Sequence, residues 1–329
     1  MKKATGIAAL ALLTFTGTAW AGSANRFGAM ISPVSNPTNF EDPRIESDVR
    51  PIFAYHQISD DFLDVVQKAG LRPPKGDAQV IALQLRIKLM ERLALIATKD
   101  GYVWVDPEND IDNIVTNGSG FADLAFGLKY NFYLDEILGL IGTGGIRYEA
   151  PSGEPQALQG SVFRSNNALN LDLHDRGSGM MNLFLSGAWA WRDLSVLGYT
   201  GPRLALSNVD SSFYDTSLHA DYRIGPVYPL LEINWIHVLE GGNRLQPLED
   251  AGLKMDQEGF DFFNLGAPSA GGTDVATIAF GGRWRITDKL DVMGRPGGID
   301  FGTVAEFPMT SRHDIFGWRV TTDFVFWMN

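Results

Sequence analysis

Cysteine is absent from this chain of 329 residues, so neither disulfide nor thiolate chemistry is available to it. Long apolar runs are missing too. Nowhere do about 18 apolar residues follow one another, which excludes a membrane-spanning helix. Basic residues are few beside acidic ones, 27 against 39, and a surface of that sign repels nucleic-acid phosphate. The five histidines follow Tyr55, Leu173, Leu218, Ile236 and Arg312, without the spacing of a zinc site. There is no repeat of fixed period and no low-complexity tract. What is plentiful is glycine, 36 residues, with aromatics at 11%, a mixture that suits closely packed strands edged by interfacial rings.

The N-terminus reads as an export signal. Met1-Lys2-Lys3 is a short basic start, Ala8 to Phe15 an apolar stretch, and Ala19-Trp20-Ala21 a small-x-small cleavage site. The apolar stretch is far shorter than the ~20 residues of a spanning helix. Residues 1–21 are therefore expected to be a signal peptide. Its removal takes Lys2 and Lys3 away and the net charge from −12 to −14. Residues 22–47 lack periodicity and are rich in Ser, Asn and Pro, which leaves two readings: a disordered periplasmic leader, or a segment folded into a lumen.

From Asp48 to the end, apolar and polar residues alternate. In Phe121–Phe132, Leu124, Phe126, Leu128 and Tyr130 fall on one parity and Asp123, Ala125, Gly127, Lys129 and Asn131 on the other. A helix would mix these sets, whereas a strand separates them. The separation returns in 78–91, where Ile81, Leu83, Leu85, Ile87 and Leu89 oppose Gln84, Arg86 and Lys88, and again in 213–225, 273–286 and the final segment. Aromatics such as Tyr130, Trp189, Trp191, Tyr222, Trp284 and Trp318 stand near the turns, as interfacial girdles do.

A soluble sandwich also alternates, so loop length decides between them. Tight turns are expected near Glu91-Arg92, Leu134-Asp135-Glu136, Arg192-Asp193, Gly225-Pro226 and Thr287-Asp288-Lys289. The connections between them, 59–76, 106–119, 151–177, 208–211, 241–271 and 308–313, are mostly long. Long loops at one end and short turns at the other are the asymmetry of a transmembrane β-barrel. The expected strands are 48–58, 78–91, 93–105, 120–133, 137–149, 179–192, 194–207, 212–225, 227–240, 273–287, 289–307 and 314–328. That makes residues 48–329 an all-β, up-and-down antiparallel barrel of about 12 strands, both chain ends on the periplasmic side. Arg295-Pro296-Gly297-Gly298 predicts a bulge or kink in the strand 289–307. Residues 60–69 predict one or two helical turns with an acidic start.

Two resemblances follow from particular residues. Phe324, Phe326 and Met328 resemble the C-terminal insertion signal of bacterial outer-membrane barrels, which usually finishes on an aromatic, where this chain has Asn329. The run Gly118-Ser119-Gly120-Phe121-Ala122-Asp123-Leu124-Ala125-Phe126-Gly127-Leu128-Lys129-Tyr130 resembles a strand of the transporter-like outer-membrane barrels associated with the MetA pathway of phenol degradation. That narrower resemblance implies uptake of small, aromatic organic molecules.

Asp215, Ser217, His219, Asp221 and Arg223 share one face of one strand. Read sharply, they are a Ser-His-Asp hydrolase. In-strand neighbours two apart are separated by ~7 Å, too far for a nucleophile–base hydrogen bond. The plainer reading is a hydrated, charge-balanced lumen wall. Twelve-stranded outer-membrane phospholipases present an Asn-His pair, and this sequence has none. His237 is expected to face lipid near the outer end of its strand. Asp106, Glu108, Asp110 and Asp112 form an acidic loop lacking an EF-hand's glycine and terminal Glu, so a solvated loop is the default and a weak cation site the alternative.

The expected lumen lining is Arg86, Lys88, Lys129, Arg147, Arg223, Arg283, Arg285 and Arg319, facing Asp123, Glu149, Asp215, Asp221, Glu232 and Asp323, with His219 among them. Arg192 and Arg203 share this inward parity. Such charges must pair or stay wet. Pairing across the lumen plugs the barrel; segregation on opposite walls lines a narrow, selective pore. Phe260, Phe262 and Phe263, in the unusually apolar loop 258–266, are candidates for a constriction at the mouth. The leading expectation is a channel, not an enzyme, for passive passage of small anionic or aromatic solutes. A closed structural or adhesive barrel is the alternative and a lipid-modifying enzyme the third reading. No catalytic residue, metal or cofactor is called for. The expected partners are outer-membrane lipid and lipopolysaccharide, a small-molecule solute and the barrel assembly machinery, with no nucleic acid.

Overall fold

The computed structural model describes residues 26–59, 76–107, 118–153 and 177–328, apart from 251, 253, 260 and 293. The predicted signal peptide, the helical turns at 60–69, Glu108, Asp110, Asp112 and Phe260 lie outside the described residues.

Alternation produces strands, and the strands close on themselves. Fourteen segments form one antiparallel sheet: β1 (Ser47–Ile58), β2 (Gly76–Met90), β3 (Leu93–Ala97), β4 (Gly101–Pro107), β5 (Gly118–Phe121), β6 (Leu124–Asp135), β7 (Leu140–Ala150), β8 (Met180–Trp191), β9 (Leu194–Ala205), β10 (Ser212–Tyr222), β11 (Val227–Glu240), β12 (Asp274–Val292), β13 (Arg295–Pro308) and β14 (Phe316–Met328). β3 with β4, and β5 with β6, are single strands briefly interrupted, so the barrel has 12 strands. Closure comes from β1, which pairs with β2 on one side and with β14 on the other. A closed ladder leaves no unpaired edge in hydrocarbon, the condition for crossing a bilayer as β-structure.

Burial follows residue parity. In β10 Phe213, Asp215, Ser217, His219 and Asp221 are buried, whereas Leu218 is 52% exposed. Phe53, Leu83, Phe126, Leu231, Phe280 and Phe324 are likewise exposed on the outer surface, a belt that only lipid can cover favourably. The tight connections 91–92, 136–139, 192–193 and 223–226 share one end of the barrel with the start of β1 and the end of β14, since Ser47 pairs with Met328. The strand ends that lead into the longer connections lie at the other end.

Two expectations need correction. The tight turn predicted at 287–289 lies instead at Gly294, whose φ of +79° suits a residue without a side chain. Asp291 accepts a hydrogen bond from the Gly294 amide at 2.6 Å. Register shifts between Arg285 and Thr287 and between Thr287 and Leu290 carry β12 past its predicted end. Pro296, opposite Asp291, therefore sits beside the turn, where a missing donor costs little. The strands expected at 93–105 and 120–133 are broken at 98–100 and 122–123. Cross-strand bonds still span the gaps, from the Leu83 amide to Asp100, Thr98 to Ala125 and Ala122 to Gly101.

Phe280 lies near the middle of the outer belt. Replacing it with Arg is expected to lower folding free energy in phospholipid vesicles by about 2–4 kcal/mol. Guanidinium titration measures this, and a change below about 0.5 kcal/mol would show that this face does not meet hydrocarbon.

Candidate functional site

The lumen is occupied by the chain's own N-terminal segment. Residues 30–45 are buried without a break, yet none of them pairs with a strand. The segment is a narrow loop. It enters past Phe27 and Met30, turns at Asn36, whose φ is +47°, and returns to β1 at Ser47. The Asn39 and Phe40 amides donate to the Asn36 carbonyl at 3.2 and 3.0 Å and close the turn. Its two arms are tied together by Arg44, which donates to Asp42 at 2.6 Å, to Ser32 Oγ at 3.2 Å and to the Met30 carbonyl at 3.1 Å.

An irregular backbone at membrane depth has no ladder to satisfy it, and the wall side chains take over that role. Arg50 and Arg283 donate to the Pro33 and Ser32 carbonyls at 2.6 and 3.2 Å. Gln84 reaches Pro37 at 2.5 Å, Arg147 reaches Thr38 at 2.5 Å, Lys129 reaches Asp42 at 2.8 Å and Thr143 reaches Pro43 at 2.5 Å. In the opposite sense, the Val34 and Ser35 amides donate to the Glu232 carboxylate at 2.8 and 2.5 Å. Apolar contacts complete the fit. Phe27, Met30 and Phe40 pack with Phe184, Leu197 and Tyr199, and Ile31 and Val34 with Tyr228, Leu230 and Val304.

The wall charges run in two rows, one basic and one in which acids and bases are paired. One register row crosses β2, β3, β6, β7, β8 and β9 through Arg86, Ile96, Gly127, Arg147, Asn182 and Arg203, and Lys129 lies on the same wall. A second row crosses β10 to β14 through His219, Glu232, Ala279, Glu306 and Arg319. Asp323 takes Arg50 at 2.6 Å and Arg283 at 2.9 Å, all three almost wholly buried. Glu306 takes Arg319 at 2.6 Å, and Asp215 takes Arg203 at 2.5 Å. Gly302 makes room for this packing, since a β carbon there would meet Asp323 Oδ1 at 2.6 Å, the Arg283 guanidinium carbon at 2.9 Å and Val34 Cγ2 at 3.0 Å.

Of the residues expected on the lumen wall, Arg86, Lys129, Arg147, Asp215, His219, Asp221, Glu232, Arg283, Arg319 and Asp323 are buried there. Arg285 is half-buried near the short-turn end, forked onto Asp300 at 3.0 and 3.2 Å. Glu149 pairs with Lys99. Asp123 is half-buried at the outer rim and accepts from the Gly153 amide at 2.7 Å. Lys88 is half-buried beside Ser47. Arg223 corrects the expectation: it is exposed at the turn and pairs with Asp193 at 2.8 Å. Arg192 likewise belongs to a turn, with a φ of +57°. Sequence parity missed Glu41, Asp42 and Arg44, because their segment has no period, and Arg50 and Glu306, whose inward parity was there to be read.

His219 cannot act as the base of a Ser-His-Asp triad in this arrangement. Its Nδ1 lies 2.6 Å from Glu232 and its Nε2 3.0 Å from Asp221, so neither nitrogen is left for a nucleophile. Two carboxylate partners suit an imidazolium, which donates from both nitrogens. Ser217 instead accepts from the Asn36 side chain at 3.2 Å. His237, at the outer rim, meets Asp274 at 2.9 Å.

At the long-loop end, residues 256–259 and 261–270 fold over the mouth. Glu258, fully buried, accepts from Ser211 Oγ at 2.6 Å and from the Gly259 and Ala267 amides, each at 2.9 Å. Phe263 packs against Ala54, Val80 and Val103, and the Arg319 guanidinium lies 4.6 Å over the Phe262 ring. Asp261 accepts from Arg319 at 2.6 Å, and its carbonyl accepts from Thr38 Oγ1 at 3.4 Å, so the cap touches the tip of the N-terminal loop. A cavity beside that tip, lined by Thr38, Arg147 and Met180, has a volume of about 10 Å³, room for one water.

No family model matches this chain, and no curated protein matches it. Similar solved structures include an outer membrane channel from Pseudomonas putida F1, with a TM-score of 0.52 at 12% identity, covering 91% of this chain and 100% of that one. The translocator domain of the autotransporter NalP from Neisseria meningitidis gives a TM-score of 0.44 at 8% identity, covering 90% of this chain and 92% of that one. LpxR from Salmonella typhimurium gives 0.43 at 10% identity, covering 84% and 99%. At 12% identity the likeness to the Pseudomonas putida channel is one of fold, that of an outer-membrane β-barrel. Together with the apolar belt it places the chain in the outer membrane.

A pH response of the cap is expected from Asp314, which accepts from the Glu258 amide at 3.1 Å. Burial pushes its carboxyl up from 3.8 to about 6, against the opposing pull of Arg312. A carboxyl raised in the folded state binds its proton more tightly there than in the unfolded chain. Its contribution to stability is therefore full below about pH 4 and is lost as pH rises through about 6. Amides of the 256–267 segment should be better protected from hydrogen exchange at about pH 5 than at about pH 8, after correction for intrinsic rates. Asp314→Asn should reduce the difference, leaving the part due to Glu258, which burial also pushes up; an unchanged pH dependence in that variant would refute the assignment.

Proposed function

We propose that the protein is an outer-membrane channel for small polar solutes, held closed in this conformation by residues 27–46 of its own chain. One observation carries this reading. The segment that fills the lumen is held by side chains alone and contributes to no strand pairing, so its withdrawal would leave every ladder of the barrel intact. Among the described residues it joins the barrel at Ser47, and Gly28, at the start of its other arm, meets Arg285 at the same short-turn end. The wall it would uncover is basic across β2 to β9, while across β10 to β14 its carboxylates are paired with Arg283, Arg285 and Arg319, a polar lining suited to small polar or charged solutes. The fold shared with the Pseudomonas putida channel is in keeping with this reading. Aromatic solutes, suggested by the narrower sequence resemblance, remain within it. No catalytic step and no cofactor belong to it, and lipopolysaccharide and the assembly machinery are its proposed partners.

The second reading is a barrel that stays shut and works through its outer loops. It is favoured by the cap of residues 256–270 and by a cavity of only about 10 Å³ beside the loop tip.

A single disulfide separates the two, because the chain has no cysteine of its own. A β carbon at position 302 would stand 3.0 Å from Val34 Cγ2, close enough for a Val34→Cys, Gly302→Cys pair to bridge the segment to the wall. In planar bilayers the parent should show discrete conductance steps; the reduced double variant, whose new β carbon must displace the Asp323–Arg283 pair, serves as its own reference, and oxidation should abolish the steps it shows. Silence of the parent and the reduced variant across salts and voltages would leave the closed barrel as the better reading.

A further inference from the structure

Glu41 sits where a solute would bind. Its Oε1 accepts from Arg86 Nε at 2.6 Å and from Lys129 Nζ at 2.8 Å, and its Oε2 accepts from Arg86 Nη2 at 3.1 Å. All three side chains are within 2% of complete burial. The Arg86 fork matches both oxygens of one carboxylate, a planar geometry that a spherical anion such as chloride cannot satisfy.

Charge fixes the rest. The wall supplies two cations at this point, Arg86 and Lys129, and one anion, Asp48, 3.2 Å from Arg86 Nη1. Without the segment, which also carries Asp42, Arg44 and Glu46, these wall groups hold two positive charges against one negative, which is costly at this depth. The wall is therefore incomplete by a single negative charge, and Glu41 fills that place from a segment that no strand holds.

We infer that Arg86 and Lys129 form a carboxylate-binding site in the lumen, that Glu41 occupies it as an internal stand-in, and that the solute admitted when the segment withdraws is a small organic monocarboxylate. The solute assignment rests on the channel reading; the site does not.

Two measurements keep them apart. In Glu41→Gly the site is vacated while its cations remain. Sodium acetate should raise the thermal unfolding midpoint of this variant in detergent, equal sodium chloride should not, and the parent should respond alike to both. In bilayers, the parent under an acetate gradient should show a reversal potential displaced toward acetate, and Lys129→Gln should reduce that displacement. Failure of acetate to act differently from chloride on Glu41→Gly would overturn the site. Acetate rescue with a parent silent in bilayers would uphold the site and overturn the solute assignment together with the channel. Conductance steps with neither rescue nor acetate preference would uphold the channel and overturn the site.

Discussion

Charge buried inside a closed β-barrel has to be matched there, and this requirement organises the whole interior. Removing a carboxylate or guanidinium from water costs several kcal/mol unless close partners replace the lost hydration. Arg50, Arg283 and Arg319 are among the largest fully buried side chains of the protein, and each has a carboxylate within 3 Å. Asp323 is shared by two guanidiniums, and Glu306 serves Arg319, Asn234 and Thr277 together. Such shared partners let every strand of the wall contribute polar groups without leaving isolated charge.

The same requirement explains why an irregular segment can lie in the middle of the barrel. Residues 30–45 have backbone donors and acceptors with no ladder to join. Arginine, lysine, glutamine and threonine side chains supply donors to their carbonyls, and Glu232 supplies acceptors to two of their amides. The segment repays part of this by placing Glu41 between two wall cations. Interior and wall are thus complementary in both senses, donor to carbonyl and carboxylate to cation. Complementarity of this kind holds the segment in place without making it part of the barrel's own hydrogen-bonded framework.

How much of this was legible depended on whether a residue's neighbours were close in sequence. Period-two alternation placed Lys129, His219 and Asp323 inside and Leu128, Leu218 and Phe324 outside, because in a strand parity alone assigns the face. It failed at Arg223, where the strand ends before the pattern does, and at the 287–289 turn, where two bulges displace the register. The loop 258–266 stood out for its apolar content, but the carboxylates that anchor it, Glu258 and Asp261, find their partners 47 and 58 residues away.

The sequence by itself determined an all-β barrel, the parity of its faces and the asymmetry of its two ends, because each of these is written in spacing along one chain. Only the tertiary structure decided that the lumen is closed, that residues 27–46 close it, and that Glu41 meets Arg86 and Lys129. Those contacts join residues 45 and 88 positions apart. The segment has no period to read, and its conformation is set by a wall that exists only once the barrel has closed.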